Sequence, residues 1–67
     1  MNNYMLTAQR NGKTSRHNFC DENDGGAILY SVFYIIREAH KKPIWARGRI
    51  ELINVDNNEV IKTMEAK

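Results

Sequence analysis

The stretch from Ala27 to Lys42, AILYSVFYIIREAHKK, is the longest apolar run in the chain and the segment with the clearest helical periodicity. On a helical wheel of about 100° per residue, its aliphatic side chains and one phenylalanine fall on a single face. The residues on this face are Ile28, Leu29, Val32, Phe33, Ile35, Ile36 and Ala39. The pattern predicts a helix that lies flat on a sheet and buries this face.

The opposite side of the predicted helix carries two tyrosines one turn apart, Tyr30 and Tyr34, and Arg37 and Lys41 continue their column. Folding does not require tyrosines on a side that faces solvent, and Tyr and Arg are enriched in protein-binding hot spots. We therefore predict that Tyr30, Tyr34, Arg37 and Lys41 form a partner-binding surface. The alternative interpretation is that the tyrosines lie along the surface as ordinary amphipathic side chains.

Both ends of the helix are marked by their neighbours in the sequence. Acidic and amide residues at positions 21–24 suit the positive end of the helix dipole, and we expect Asp24 to be the N-cap. Basic residues fill the last turn, where cations are favoured, and Pro43 stops the helix.

Before the helix, the chain reads as a β-hairpin. Asn11-Gly12 is a strong signal for a two-residue turn, because both residues tolerate positive φ. This turn predicts strands from Asn3 to Arg10 and from Lys13 to Cys20. It also predicts three cross-strand pairs on one apolar face: Ala8 with Ser15, Leu6 with His17, and Tyr4 with Phe19.

After Pro43, apolar or small residues at even positions alternate with mostly charged or aromatic residues at odd positions. This alternation predicts a strand from Ile44 to Val55, with Trp45 on its outer face. A turn and a last strand from Val60 to Met64 follow. A simple turn would bury Ile61 and Thr63, whereas a one-residue bulge would reverse that register, and the sequence leaves both open. The order ββαββ predicts an α+β fold: a four-stranded antiparallel sheet of two hairpins with one helix packed on one face.

Length and composition indicate one small soluble domain covering residues 1–67. The apolar fraction is 42% and the charged fraction 27%, which suits a folded domain. The sequence shows no signal peptide and no apolar run long enough to span a bilayer. The single cysteine, Cys20, fits a reducing compartment. We expect a cytoplasmic protein that is a monomer or a homodimer.

The residue pattern predicts no catalytic site, no metal site and no cofactor. His17 and Cys20 are the candidates for a base and a nucleophile, but a polar strand residue and a small buried thiol are the more economical interpretation. The acidic run at 21–24 does not match an EF-hand loop, because the twelfth position from Asp21 is Val32 and not Glu. We predict a protein that is not an enzyme.

The outer face of the predicted sheet suggests two alternatives to helix-mediated protein binding. Aromatic and arginine residues interleaved on an open sheet are typical of single-strand nucleic-acid binders. The residues that would do this are Arg16, Trp45, Arg47 and Arg49. A dimer interface is the other alternative, because Ile53, Val55 and Val60 would be exposed together.

In layout, the chain resembles the small proteins that phages make to disable one host machine, such as anti-CRISPR proteins and inhibitors of RNA polymerase. The features that carry the resemblance are the hairpin at Asn11-Gly12, the acidic entry into the helix, and a closing hairpin within 44–64. The resemblance implies a phage- or prophage-encoded inhibitor in the cytoplasm of a bacterial host. Its partner would be a host protein or ribonucleoprotein complex, bound stoichiometrically rather than turned over.

Overall fold

The computed structural model describes residues 1–65, which form four strands and two helices. The strands are β1 (Asn2–Arg10), β2 (Lys13–Asp21), β3 (Arg49–Asn54) and β4 (Glu59–Glu65), and the helices are α1 (Asp24–Ala39) and α2 (Pro43–Arg47). One antiparallel sheet has the strand order β2-β1-β3-β4, so the two hairpins meet through their first strands. The predicted α+β fold is confirmed, with α2 as an unpredicted second helix. Neither described helix is long and apolar enough to cross a membrane.

The first hairpin has the register that its turn predicts. Tyr4 pairs with Phe19, Leu6 with His17, and Ala8 with Ser15. Asn11 and Gly12 both have positive φ, at 52° and 78°. This backbone matches the right-handed twist of the flanking strands, which explains why a two-residue turn suffices here.

The second hairpin contains the bulge that the sequence left open. Thr63 pairs with Glu51 and Val60 with Ile53, and the register shifts between Leu52 and Ile53. Thr63 therefore shares a face with Glu51, away from the helices. Ile61, at the shift, remains half-buried and packs against the core. Ile61 is the extra residue of β4 at this bulge, and it lies between the partners of Leu52 and Ile53.

The predicted strand from Ile44 to Val55 is wrong in its first part, because residues 43–47 form α2 and β3 begins only at Arg49. Pro43 occupies the first turn of α2, where its fixed φ favours a helix. Gly48 then lets this helix approach β1 closely: a Cβ there would lie 2.5 Å from the Ile44 carbonyl oxygen and 2.9 Å from that of Gln9. Trp45 is consequently carried into the core, 1% exposed, and not onto the outer face.

The core lies between the helices and one face of the two central strands. Its buried apolar members are Tyr4, Leu6, Ala8, Ala27, Trp45, Ile50 and Leu52. From α1, only Ala27 and Ser31 are fully buried, and the Ser31 hydroxyl donates to the Ala27 carbonyl oxygen at 2.7 Å. Small residues at this contact allow α1 to lie close against the sheet.

The predicted buried face of α1 is therefore wrong in its orientation. Leu29 is 59% exposed, Val32 39%, Phe33 64% and Ile36 57%. Ile28 and Ile35 are half-buried at the edges of the contact. The width of an apolar face does not decide which part of it faces the sheet. Here the small residues and the tyrosines face inward, because the tyrosine rings find aromatic partners there.

The N-cap of α1 is Asn23 and not Asp24, as its side chain accepts a hydrogen bond from the Gly26 amide at 2.8 Å. Asp24 lies in the first turn, where it accepts a hydrogen bond from the hydroxyl of Tyr4 at 2.8 Å. This bond ties the start of α1 to β1 and satisfies the polar end of a core side chain.

The orientation of α1 predicts opposite outcomes for two aromatic truncations. Trp45→Ala should lower the free energy of unfolding by about 3–5 kcal/mol, because it empties a packed core position. Phe33→Ala should change it by no more than about 0.5 kcal/mol, as exposed substitutions do. Chemical denaturation of the two variants measures both values. A large loss for Phe33→Ala, measured at dilutions where the chain is a monomer, would mean that the side of α1 that carries Phe33 packs against the sheet.

Candidate interaction surfaces

An aromatic cluster joins α1 to β2 and α2. Its members are Tyr4, His17, Phe19, Tyr30, Tyr34 and Trp45. The closest pairs are stacked, with ring centroids 4.0 Å apart for His17 and Tyr34 and 4.2 Å apart for Phe19 and Tyr30. Tyr34 also meets the Trp45 indole edge to face at 5.1 Å. Such pairs add stability beyond the burial of their area.

The two helix tyrosines therefore pack against β2, and the expectation that they project away from the core is wrong. Tyr34 is half-buried, while the hydroxyl of Tyr30 shares a 2.8 Å hydrogen bond with Nε2 of His17. Arg37 and Lys41 are exposed, and each lies 3.7 Å from the carboxylate of Glu38. The Arg37 guanidinium also lies 5.6 Å from the centroid of the Tyr34 ring. As a partner-binding surface, this column stays a prediction.

Packing within the cluster perturbs two titrating side chains. Burial lowers the pKa of His17 below its usual value, and the nearby charge of Arg37 lowers it further. Burial raises the pKa of Tyr34, and the carboxylate of Glu38 adds to that shift. His17 is therefore held in its neutral form, which is the form that stacks on Tyr34 without the cost of burying a charge.

The side of α1 turned away from the sheet carries an apolar stripe, which we define as Leu29, Val32, Phe33 and Ile36. Their spacing of i, i+3, i+4 and i+7 is that of a helix face that packs against another element. Nothing in residues 1–65 covers the stripe. The stripe therefore brings four large apolar side chains together on one exposed side of the helix.

Charge is separated between the two ends of the sheet. The turn between β1 and β2 and the segment between α1 and α2 meet at one end, where Arg10, Lys13, Lys41 and Lys42 line a cleft. We call this the basic end. Arg10 and Lys13 also line a second, adjacent cleft with Arg49, and neither cleft has an acidic residue in its lining. Five acidic residues lie at the opposite end, in or directly beside the turns that follow β2 and β3; they are Asp21, Glu22, Asp24, Asp56 and Glu59. One acidic residue, Glu65, lies near the second cleft, 3.6 Å from Arg49.

The predicted nucleic-acid-binding residues do not form one surface. Trp45 is buried and cannot stack on a base, so its assignment to that surface is wrong. Arg16 lies on the open face of β2, and Arg47 is exposed on α2. Arg49 lies 3.6 Å from Glu65, with both side chains mostly exposed. The alternation of arginine with Trp45 on a predicted strand pointed to these arginines, whereas the basic end depends on a turn and a helix end that only the fold brings together.

The residues considered for catalysis do not come together. His17 faces α1, whereas Cys20 is exposed on the other face of β2 and donates from Sγ to Oδ1 of Asn3 at 3.1 Å. Within residues 1–65, no group of three or more His, Cys, Asp and Glu side chains is arranged to hold a metal ion. No family model, curated protein or solved structure matches the chain.

Because the pKa of His17 is lower in the folded state, stability should fall as the solution is acidified. The unfolded chain binds the proton first, so the loss begins near pH 6.5 and continues until the folded-state pKa is reached. His17→Phe keeps an aromatic ring and should flatten this dependence below about pH 7. The measurement is urea denaturation across the pH series. Phe33→Ala, an exposed substitution that removes no titrating group, should retain the wild-type slope and serves as the control.

Truncation of Tyr34 distinguishes an α1 whose tyrosines pack against the sheet from one whose tyrosines face solvent. Tyr34→Ala removes the ring that stacks on His17 and contacts Trp45, so it should lower the free energy of unfolding by about 2 kcal/mol or more. Thermal melting and denaturant titration of the variant give the value. Ile36→Ala, on the same helix but in the stripe, is the matched control and should melt close to the wild type. An unchanged melting temperature for Tyr34→Ala would contradict the packing described for the aromatic cluster.

Proposed function

We propose that the chain is a non-catalytic interaction protein that binds a protein partner through the apolar stripe of α1. The single observation that supports this is the exposure of Leu29, Phe33 and Ile36 on a regular helix of sixteen residues. Fully burying one such side chain lowers the free energy by about 1.5–3 kcal/mol relative to leaving it in water. Folding of the chain does not bury these side chains, so a partner could. A groove on a partner protein would take the stripe as it takes other amphipathic helices.

The surroundings of the stripe suit the same role. Tyr30 precedes Phe33 by three residues and Arg37 follows it by four, so both lie beside the central ring of the stripe. Tyr30 is 36% exposed, and Arg37 and Lys41 are mostly exposed. In this proposal Phe33 is the anchor and the predicted column forms a polar rim, an arrangement typical of protein interfaces.

The class of partner in the proposal comes from the resemblance to small phage proteins. The partner is a host protein or a ribonucleoprotein complex, and the chain inhibits it in the bacterial cytoplasm by occupying a surface. Stoichiometric binding requires no catalytic group, in agreement with the separation of His17 and Cys20. Affinity then depends on apolar contact area and on the fit of Phe33 into its pocket.

A matched pair of charge substitutions tests the proposal. Phe33→Glu should abolish capture and inhibition of the partner, because it places a charge at the centre of the stripe. At dilutions where the wild type is a single chain, the variant should melt close to the wild type. Val60→Glu, on the exposed open face of the sheet, should leave binding intact. The partner is identified by affinity capture from bacterial lysate and then purified for titration. Capture that is equally strong with Phe33→Glu would exclude the stripe as the binding surface.

A second candidate function is supported by the basic end. Arg10, Lys13, Lys41 and Lys42 line one cleft with no acidic residue among its lining, and this favours a phosphate-rich ligand such as nucleic acid. Binding there would be largely independent of base sequence, because Trp45 is not accessible for stacking. This candidate replaces the sheet-face alternative as the way in which the chain would bind nucleic acid.

Salt dependence tests the second candidate. Arg10→Ala and Lys42→Ala should each weaken binding to random single- and double-stranded DNA and RNA, and each should reduce the salt slope by about one phosphate contact. Lys62→Ala, an exposed substitution on β4, is the control and should change neither quantity. Fluorescence anisotropy over a salt series measures both. Absence of binding by the wild type at low salt would eliminate this candidate.

A further inference from the structure

We infer that, in the absence of a target, a second copy of this chain covers the apolar stripe, with the two α1 helices antiparallel about a twofold axis between Val32 and Phe33. The inference rests on the proposed function, because it concerns the same stripe. It assigns that stripe a resting partner, which a target has to displace. Two observations carry it: the symmetry of the stripe, and the charges at the two ends of α1.

The stripe can pack against the stripe of a second copy that runs in the opposite direction. Twofold rotation about a point between Val32 and Phe33 places Leu29 opposite Ile36 of the second copy and Val32 opposite Phe33 of the second copy. Each contact then occurs twice, as a twofold interface requires. The larger ring at Phe33 meets the smaller Val32, so large and small side chains alternate across the interface, which is how packed layers interdigitate.

The charges at the ends of α1 select the antiparallel orientation. Asp21 and Glu22 precede the helix, while Lys41 and Lys42 follow it. An antiparallel pair brings Glu22 towards Lys42 of the second copy at both ends of the interface, and it also aligns the two helix dipoles favourably. A parallel pair would instead place acid beside acid and base beside base, which is unfavourable.

The size of the domain adds a reason for a second copy. A chain of about this length buries only ~60% of the surface that its unfolded form exposes. Covering Leu29, Phe33 and Ile36 removes the most exposed large apolar side chains of α1 from water. The half-buried Ile28 and the exposed Arg37 flank the stripe and extend the interface on its two sides.

Sedimentation equilibrium of the full chain tests the dimer. The wild type should give twice the 7.8 kDa mass of one chain and should dissociate on dilution. Phe33→Glu should give the single-chain mass at every concentration, while Val60→Glu should behave as the wild type. A wild type that stays at the single-chain mass throughout would overturn the inference. So would a dimer that survives Phe33→Glu, because its interface would lie elsewhere.

A charge exchange tests the orientation. Glu22→Lys and Lys42→Glu should each weaken self-association, because each places like charges together at both ends of an antiparallel pair. An equimolar mixture of the two variants should recover dimer, because one end of the mixed pair has opposite introduced charges and the other keeps the native pair. No recovery on mixing would overturn the antiparallel arrangement. Circular dichroism confirms that both variants remain folded.

The same variants separate this inference from the proposed function. A wild type that remains monomeric and binds a purified target through Phe33 overturns the dimer and leaves the proposed function standing. A wild type that dimerises through Phe33, and whose dissociated chain inhibits no target, supports the dimer and removes the proposed function. Where both hold, adding target should convert the homodimer into a complex with one chain per target site.

Discussion

The close contact of α1 with the sheet through Ala27 and Ser31 is the constraint on which the rest of the structure depends. Both residues are fully buried, and the hydroxyl of Ser31 is satisfied by the carbonyl oxygen of Ala27 within the same helix. Because the side chains at this contact are small, the neighbouring Tyr30 and Tyr34 reach the rings of β2 on one side of the contact. The larger aliphatic side chains are then turned towards solvent.

This orientation links the interior to the apolar stripe, the surface proposed to bind a partner. The aromatic cluster holds α1 by stacking and by the hydrogen bond between His17 and Tyr30, so the helix does not need its aliphatic face for folding. The apolar stripe is thus available for a partner and is presented on a helix fixed at both ends. Asn23 caps its start, and α2 packs beside its end with Trp45 against Tyr34. A rigid apolar helix face limits the conformational cost of binding.

Local signals in the sequence predict the turn and register of the first hairpin, because Asn11-Gly12 determines both the turn and the pairing of Tyr4 with Phe19. Each strand is one residue longer at its outer end than the sequence predicts. The local signals also predict α1 and the α+β class. They fail for Trp45, because alternation at residues 44–48 resembles a strand until Pro43 and Gly48 are seen to bound a short helix. They also mispredict which side of α1 packs against the sheet, for a different reason. The aromatic partners of its tyrosines lie on β2, so only the tertiary structure determines how α1 is rotated about its axis.

The aromatic side of α1 faces the sheet, and its aliphatic stripe does not. Nuclear Overhauser contacts between assigned side chains measure this directly in solution. The structure predicts strong cross-peaks between the rings of His17 and Tyr34, whose centroids are 4.0 Å apart. It predicts none from Phe33 to the core residues Leu6 and Leu52. Cross-peaks from Phe33 to those leucines, together with none between His17 and Tyr34, would contradict the account.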